Sequence, residues 1–310
     1  MSKYLLLVVM LVSLFVVGSV SAQDAALTPG QTHSLSLLHN NLERTYRVYV
    51  PKTYTTEGDP LPLIIAMHGA SGTGEGIESY SGFDDLADME GFVVAYPDGL
   101  YRIWNDGREG DSRVPADLDD IGFISALIDD LTGKLKIDSS RVYATGHSMG
   151  GMMAYRLGCE LQGKIAAFAS VASTFPGYLL DECETTRPIP MLMIQGTDDS
   201  VIPWDGAYQG NTPIYLSAVE TAAYWALHNG CQSRPEALEG LDVFATDGTI
   251  VSQIYYVGCT NDATVMVYAV AGGGHTWPGG VRKIDAGNTS YDLYASAAIW
   301  EFFRNHRLSQ

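Results

Sequence analysis

Two kinds of hydrophobic segment alternate along the chain. Continuous apolar runs bounded by Pro or Gly occur at LPLIIAMHG (Leu61–Gly69), GFVVAYPDG (Gly91–Gly99), IAAFASVAS (Ile165–Ser173), PMLMIQG (Pro190–Gly196) and ATVMVYAVAGGG (Ala263–Gly274). Runs of this length, with no polar face, predict central strands covered on both sides. Between them apolar residues recur at helical spacing: Leu118–Leu135, with acidic residues at its start, Met149–Leu161, Tyr215–Cys231, ended by Asn229-Gly230, and Ser290–Arg304. The alternating TYRVYV (Thr45–Val50) adds a strand near the beginning, and Val142–Thr145 another just before Gly146. Strands interleaved with helices predict an α/β fold, with a mostly parallel central sheet and helices on both faces. No repeat or internal linker interrupts the pattern, so residues 23–310 read as one domain.

The first 22 residues stand outside that pattern. Lys3 precedes an apolar run from Tyr4 to Val17, and Val20-Ser21-Ala22 supplies small residues before Gln23. This is the layout of a cleavable signal peptide, and the run is short for a membrane span. It predicts a secreted chain with no stable membrane anchor after cleavage. An exported protein explains the even set of four cysteines as two disulfides. Spacing leaves three pairings; Cys159 with Cys183 and Cys231 with Cys259 closes the shortest loops, and no paired Cys or His spacing points to zinc. The net charge of −18, with only 18 Lys plus Arg, disfavours nucleic acid as a partner.

Candidate chemistry begins at RVYATGHSMGGMMAYR (Arg141–Arg156), where a strand runs into a helix through G-x-S-x-G. At that bend a serine is held in a tight turn, with its hydroxyl above the carboxyl edge of the sheet. Ser148 needs a base to take its proton, and in this architecture an acid and then a His follow in the chain. Of His228, His275 and His306, the first falls within a helix and the last in a charged terminal stretch, both reading as surface positions. His275 follows a buried strand in GGGHTWPGG. The acid belongs at a strand end between the two, where Asp198 and Asp199 both stand after Pro190–Gly196. Spacing does not choose between them.

An ester carbonyl under attack needs N–H donors for its developing charge. Met149, following the nucleophile, supplies one; Ala70, in the loop after Leu61–Gly69, is the candidate for the second. That loop has G-x-x-x-x-G spacing from Gly69 to Gly74, but Glu75 stands where a phosphate loop requires Lys. Tyr101, Trp104, Trp204 and Trp277 flank the motif loops and are candidates for an aromatic substrate wall.

The segments HGASGTGEG, YPDGLYRIWN, DDIGF, GHSMGGMMAYRL, GTDDSVIP and GGGHTWPGG occur together and in order. In them the chain resembles the secreted esterase family grouped under polyhydroxybutyrate depolymerase, which includes feruloyl and acetylxylan esterases. The resemblance covers nearly the whole mature chain. It implies the α/β-hydrolase fold without a large lid, Ser148 as nucleophile, His275 as base, and Asp199 as the acid through the G-T-x-D-x-x-V-P pattern. Two departures stand out: Gln195 replaces a His common before G-T, and DGREGD follows Trp104-Asn105 where many members have adjacent cysteines. Neither touches the triad; the second bears on the substrate rim.

The sequence therefore predicts ester hydrolysis through an acyl-enzyme, with no metal or organic cofactor. Polysaccharide-linked feruloyl or acetyl esters and short hydroxyalkanoate oligomers are the candidate substrates. A serine peptidase on the same scaffold, or a non-catalytic binding protein, are the competing classes. Against them stand the absence of a gating domain and an intact set of Ser148, Asp199 and His275.

Overall fold

The structure, a computed structural model, describes residues 27–108, 114–115, 118–232, 234–281 and 286–308. The expected signal peptide lies outside the described residues. Twelve strands are present among them: β1 (Gln31–His39), β2 (Leu42–Val50), β3 (Leu61–Met67), β4 (Val93–Pro97), β5 (Ile137–His147), β6 (Ala167–Val171), β7 (Met191–Gly196), β8 (Ala207–Gln209), β9 (Thr212–Tyr215), β10 (Glu236–Leu241), β11 (Ile250–Tyr256) and β12 (Val265–Ala271). The helices are α1 (Gly74–Ser81), α2 (Phe83–Glu90), α3 (Asp120–Lys134), α4 (Met149–Glu160), α5 (Ala218–His228) and α6 (Ala295–Phe303).

Ten strands form one sheet in the order β1-β2-β4-β3-β5-β6-β7-β12-β11-β10, and β8 and β9 make a separate hairpin. From β4 across to β12 every neighbouring pair is parallel. Antiparallel pairs, β1–β2 and β11–β10, flank this centre. The runs without a polar face are the parallel strands, and β4, β6 and β7 are buried along their whole length. Side-chain alternation divides them between two cores. Leu63, Ile65 and Met67 face Phe123, Leu127, Met153, Leu157 and Trp225 of α3, α4 and α5. Ile64 and Ala66 face Ile77, Phe83, Leu86, Ile299 and Phe303 of α1, α2 and α6. The expected arrangement of a mostly parallel sheet covered on both faces is thus met.

Local chemistry sets the helix limits. Ser217 and Glu220 form a reciprocal capping box at the start of α5, so this helix begins three residues inside the predicted span. Asp119 caps α3 through the Gly122 amide. Its neighbour Asp120 is fully buried and bonded to Arg44 at 2.6 Å, while its second oxygen accepts the Asn105 amide at 2.7 Å. The DDIGF segment therefore fixes the loop after β4 to the body of the sheet.

Cys159 is joined to Cys183 and Cys231 to Cys259. No helix among the described residues is long and apolar enough to cross a membrane. Between β6 and β7 the chain makes only a short 3₁₀ turn, Gly177–Leu179, leaving no lid-sized insertion there.

Candidate active site

The carboxyl ends of the parallel strands put three separate segments on one edge of the molecule. β5 runs into α4 through Ser148, whose φ of 56° and ψ of −119° are far from the conformations L-residues favour. The crossing is possible because Gly146 and Gly150 carry no side chain. A Cβ on Gly146 would stand 2.4 Å from the Gly150 carbonyl, and one on Gly150 would stand 2.3 Å from the Met67 carbonyl oxygen at the end of β3. The glycines thus clear the backbone crossing itself. Ser148 is half-buried between buried His147 and Met149, and its amide is tied to Val171 at the end of β6 at 2.9 Å.

β7 delivers the acidic turn. Asp198 is exposed and accepts the Thr197 hydroxyl, whereas Asp199 is buried. Asp199 Oδ1 accepts the Val201 and Ile202 amides at 2.8 and 2.9 Å, and Oδ2 accepts Nδ1–H of His275 at 2.8 Å. The two amides on Oδ1 hold this carboxylate in the orientation that meets the imidazole. The acid and His275 loops are also laced directly: the Asp198 amide donates to the Gly273 carbonyl at 2.9 Å, and the Gly272 amide to Thr197 Oγ1 at 2.9 Å. Gly196 permits this approach, since a Cβ there would lie 2.2 Å from the Gly273 oxygen.

With Nδ1 donating to Asp199, the proton-free nitrogen of neutral His275 is Nε2. The His275 ring centroid lies 4.9 Å from that of His147, the residue immediately before Ser148. The edge thus holds a serine on a strained turn, and near it an imidazole oriented by a buried carboxylate.

Gln195 stands inside this arrangement, contrary to the expectation that its departure from the family pattern leaves the triad untouched. It is fully buried, and Nε2 donates to Asp199 Oδ2 at 3.2 Å and to the Ile202 carbonyl at 2.7 Å. Both partners are acceptors, which fixes the orientation of the amide. Sequence spacing gave no sign of this, because the contact depends on how the turn after β7 folds back.

Of the four aromatics considered for a substrate wall, two are ruled out. Trp104 and Trp277 are both fully buried. Trp104 donates Nε1–H to the His68 carbonyl at 2.8 Å. Trp277 donates to Ser296 Oγ and packs on Tyr80 and Phe83, anchoring the chain after His275 to α1, α2 and α6. Their bulk and indole donors are used up in packing. Tyr101 is 68% exposed, and Trp204 is half-buried. The other two histidines weighed as bases are less exposed than expected. His228 is half-buried and stacked on Tyr224, and His306 packs against Phe302, with burial pushing its imidazole down to about 4.

Ala70 lies on the exposed loop after β3, and no hydrogen bond among the described residues takes up its amide. The Met149 amide opens α4, where the first N–H groups of a helix lack intrahelical acceptors. Both are available to a ligand oxygen.

Residues 63–292 match the model of the alpha/beta hydrolase family. The chain belongs to that family. Among curated proteins it is 34% identical over 272 residues to a putative esterase, NocK, of Nocardia uniformis subsp. tsuyamanensis, covering 84% of this chain and 78% of that protein. It is 32% identical over 224 residues to feruloyl esterase B of Piromyces equi, covering 69% of this chain but 39% of that longer protein. With a probable feruloyl esterase C of Aspergillus niger it shares 27% identity over 302 residues, covering 94% and 96% of the two chains. An acetyl xylan esterase from Aspergillus awamori has the same fold at 19% identity, with a TM-score of 0.56 over 80% of this chain and 94% of the other. These relatives support carboxylic ester hydrolysis as the reaction class.

Proposed function

We propose that the protein is a secreted serine ester hydrolase that works through an acyl-enzyme. Its substrates are feruloyl or acetyl esters attached to polysaccharide, or short hydroxyalkanoate oligomers. The observation that carries the reading is the 2.8 Å bond from His275 to buried Asp199, on a loop that brings the imidazole against the residue preceding Ser148. In this mechanism His275 Nε2 takes the Ser148 proton as Oγ attacks the ester carbonyl. Asp199 holds the ring and stabilises its charged form. The Ala70 and Met149 amides receive the oxyanion. The proton passes from His275 to the departing alcohol, and water, deprotonated by the same nitrogen, then releases the acid.

The names of the feruloyl and acetyl xylan esterase relatives favour a polysaccharide-attached ester. So does the lack of a lid-sized insertion after β6, and exposed Tyr101 with half-buried Trp204 remain candidates for contact with substrate. The apolar leader and the two disulfides support export to an oxidising compartment.

Ser148→Ala is expected to abolish hydrolysis of a short p-nitrophenyl ester and labelling by a fluorophosphonate, while leaving the melting temperature within a few degrees. Retained turnover in that variant would overturn the assignment. A panel of methyl ferulate, acetylated xylan and hydroxybutyrate oligomers, with an amide analogue to expose peptidase activity, selects among the substrates.

A further inference from the structure

The amide of Ala70 is useful only if it points at the reacting oxygen, and the bonds around it show what aims it. A trans peptide sets its carbonyl and its N–H on opposite sides. The Ala70 N–H therefore points away from the direction in which the Gly69 carbonyl is held. Two donors hold that carbonyl: His68 Nδ1–H at 2.8 Å and the Gly72 amide at 2.9 Å. His68 can donate from Nδ1 because its other nitrogen is already an acceptor, receiving the Gly99 amide at 2.9 Å. The preceding peptide is fixed as well, by the indole N–H of Trp104 on the His68 carbonyl at 2.8 Å. On the far side the Ser71 amide donates to the Arg102 carbonyl at 2.7 Å.

We infer that His68 and Trp104 are positioning residues for the oxyanion site, holding the peptide that carries the Ala70 amide in one orientation. The inference rests on the proposed role of that amide. Three of the bonds come from the loop after β4, at Gly99, Arg102 and Trp104, and that loop is itself tied down through Asn105 to buried Asp120. Its backbone is held in an unusual form: Tyr101 and Arg102 have φ of 57° and 64°. Two successive side-chain-bearing residues in the left-handed region are strained, and persist where surrounding contacts demand the geometry. Burial lowers the His68 imidazole below its ordinary value, which keeps the ring neutral and the tautomer intact. The Trp104 ring, 4.9 Å from that of His68, fills the space beneath the loop.

The test compares His68→Leu, His68→Asn and Trp104→Phe with the unaltered enzyme on a short p-nitrophenyl ester. His68→Leu removes the donor to Gly69 and is expected to lower kcat about 100-fold, with KM changed no more than about twofold. Trp104→Phe keeps an aromatic ring but loses the indole N–H, for an expected loss of about 10-fold in kcat. His68→Asn places an amide where Nδ1 stands and is expected to recover part of the loss. The inhibition constant of a phenylboronic acid, whose serine adduct is tetrahedral, should rise in step with the fall in kcat/KM. Folded variants with unaltered kcat, or a loss confined to KM, would overturn the inference. Should His68→Leu fail to fold, Trp104→Phe and His68→Asn decide it by the same criteria. If Ser148→Ala is inactive and these variants are unimpaired, the brace fails and the reaction stands; if Ser148→Ala is active, the reaction itself fails.

Discussion

Gln195 buries an amide oxygen that finds no partner among the described residues, a condition that costs about 1–3 kcal/mol. What offsets it is the work of the two amide hydrogens, which close the turn from β7 to Ile202 and donate to the same Asp199 oxygen that faces His275. Gln195→Leu removes both donors, and steady-state kinetics should show kcat reduced about 10-fold with KM little changed. Gln195→Glu behaves differently with pH. While protonated, the new carboxyl still donates to Asp199; once ionised, it repels it. The kcat profile of that variant should therefore gain a loss of activity on the alkaline side, which the glutamine, having no proton to lose, does not impose. A profile parallel to that of the unaltered enzyme would remove Gln195 from the positioning of the acid.

At the scale of elements, the acid has the most firmly anchored segment. β7, the Asp199 turn and α5 all lie between Cys183 and Cys231, each half of a different bridge, whereas Ser148 precedes the first bridge and His275 follows the second. The bridges close loops of 24 and 28 residues, for which chain entropy gives roughly 3–4 kcal/mol each. Removing both by Cys→Ser is expected to lower the melting temperature by more than 10 °C and to expose the Asp199 segment to limited proteolysis before the β3–α2 region.

The central strands and the four longer helices are legible because burial on both faces removes polar residues from β4, β6 and β7, and because α3 to α6 show an apolar stripe. The helices α1 and α2 are not: each spans eight residues, Gly-rich around the first, and they are separated only by Gly82 in a left-handed conformation. Strands β1 and β10 escape notice because they lie at the edges of the sheet, exposed along much of their length. In the site, Ser148 and His275 stand at strand ends, where topology directs them to one edge; it brings Asp198 and Asp199 there alike, and only the resemblance chooses between them. The contacts of Gln195, His68 and Trp104 are hydrogen bonds across turns and between loops, and no periodicity encodes those.

For the whole molecule, two half-buried groups set opposite pH dependences. Burial lowers His306 to about 4, so unfolding takes up a proton there below about 6.5, and stability is lost as pH falls through that window. Burial, with repulsion from neighbouring Glu78, raises Asp84 to about 7. An acid whose folded value is raised favours folding at low pH and loses that contribution as pH rises from about 3.8 to about 7. The Tyr96 hydroxyl, bonded to Asp84 at 2.6 Å, can also donate to an amide oxygen. Asp84→Asn should therefore melt several degrees higher than the unaltered protein at pH 8, the two curves converging below about pH 4. Thermal unfolding across that range checks the sign; coincident curves throughout would show that Asp84 ionises normally.

The order of the strands also bears on when the enzyme comes alive. Ser148 and Asp199 are in place by residue 199, yet the His275 imidazole arrives only with β12, which must slot between β7 and β11, strands already synthesised. On the proposed mechanism a nascent chain thus holds its serine without a base, and ester cleavage waits for that last insertion.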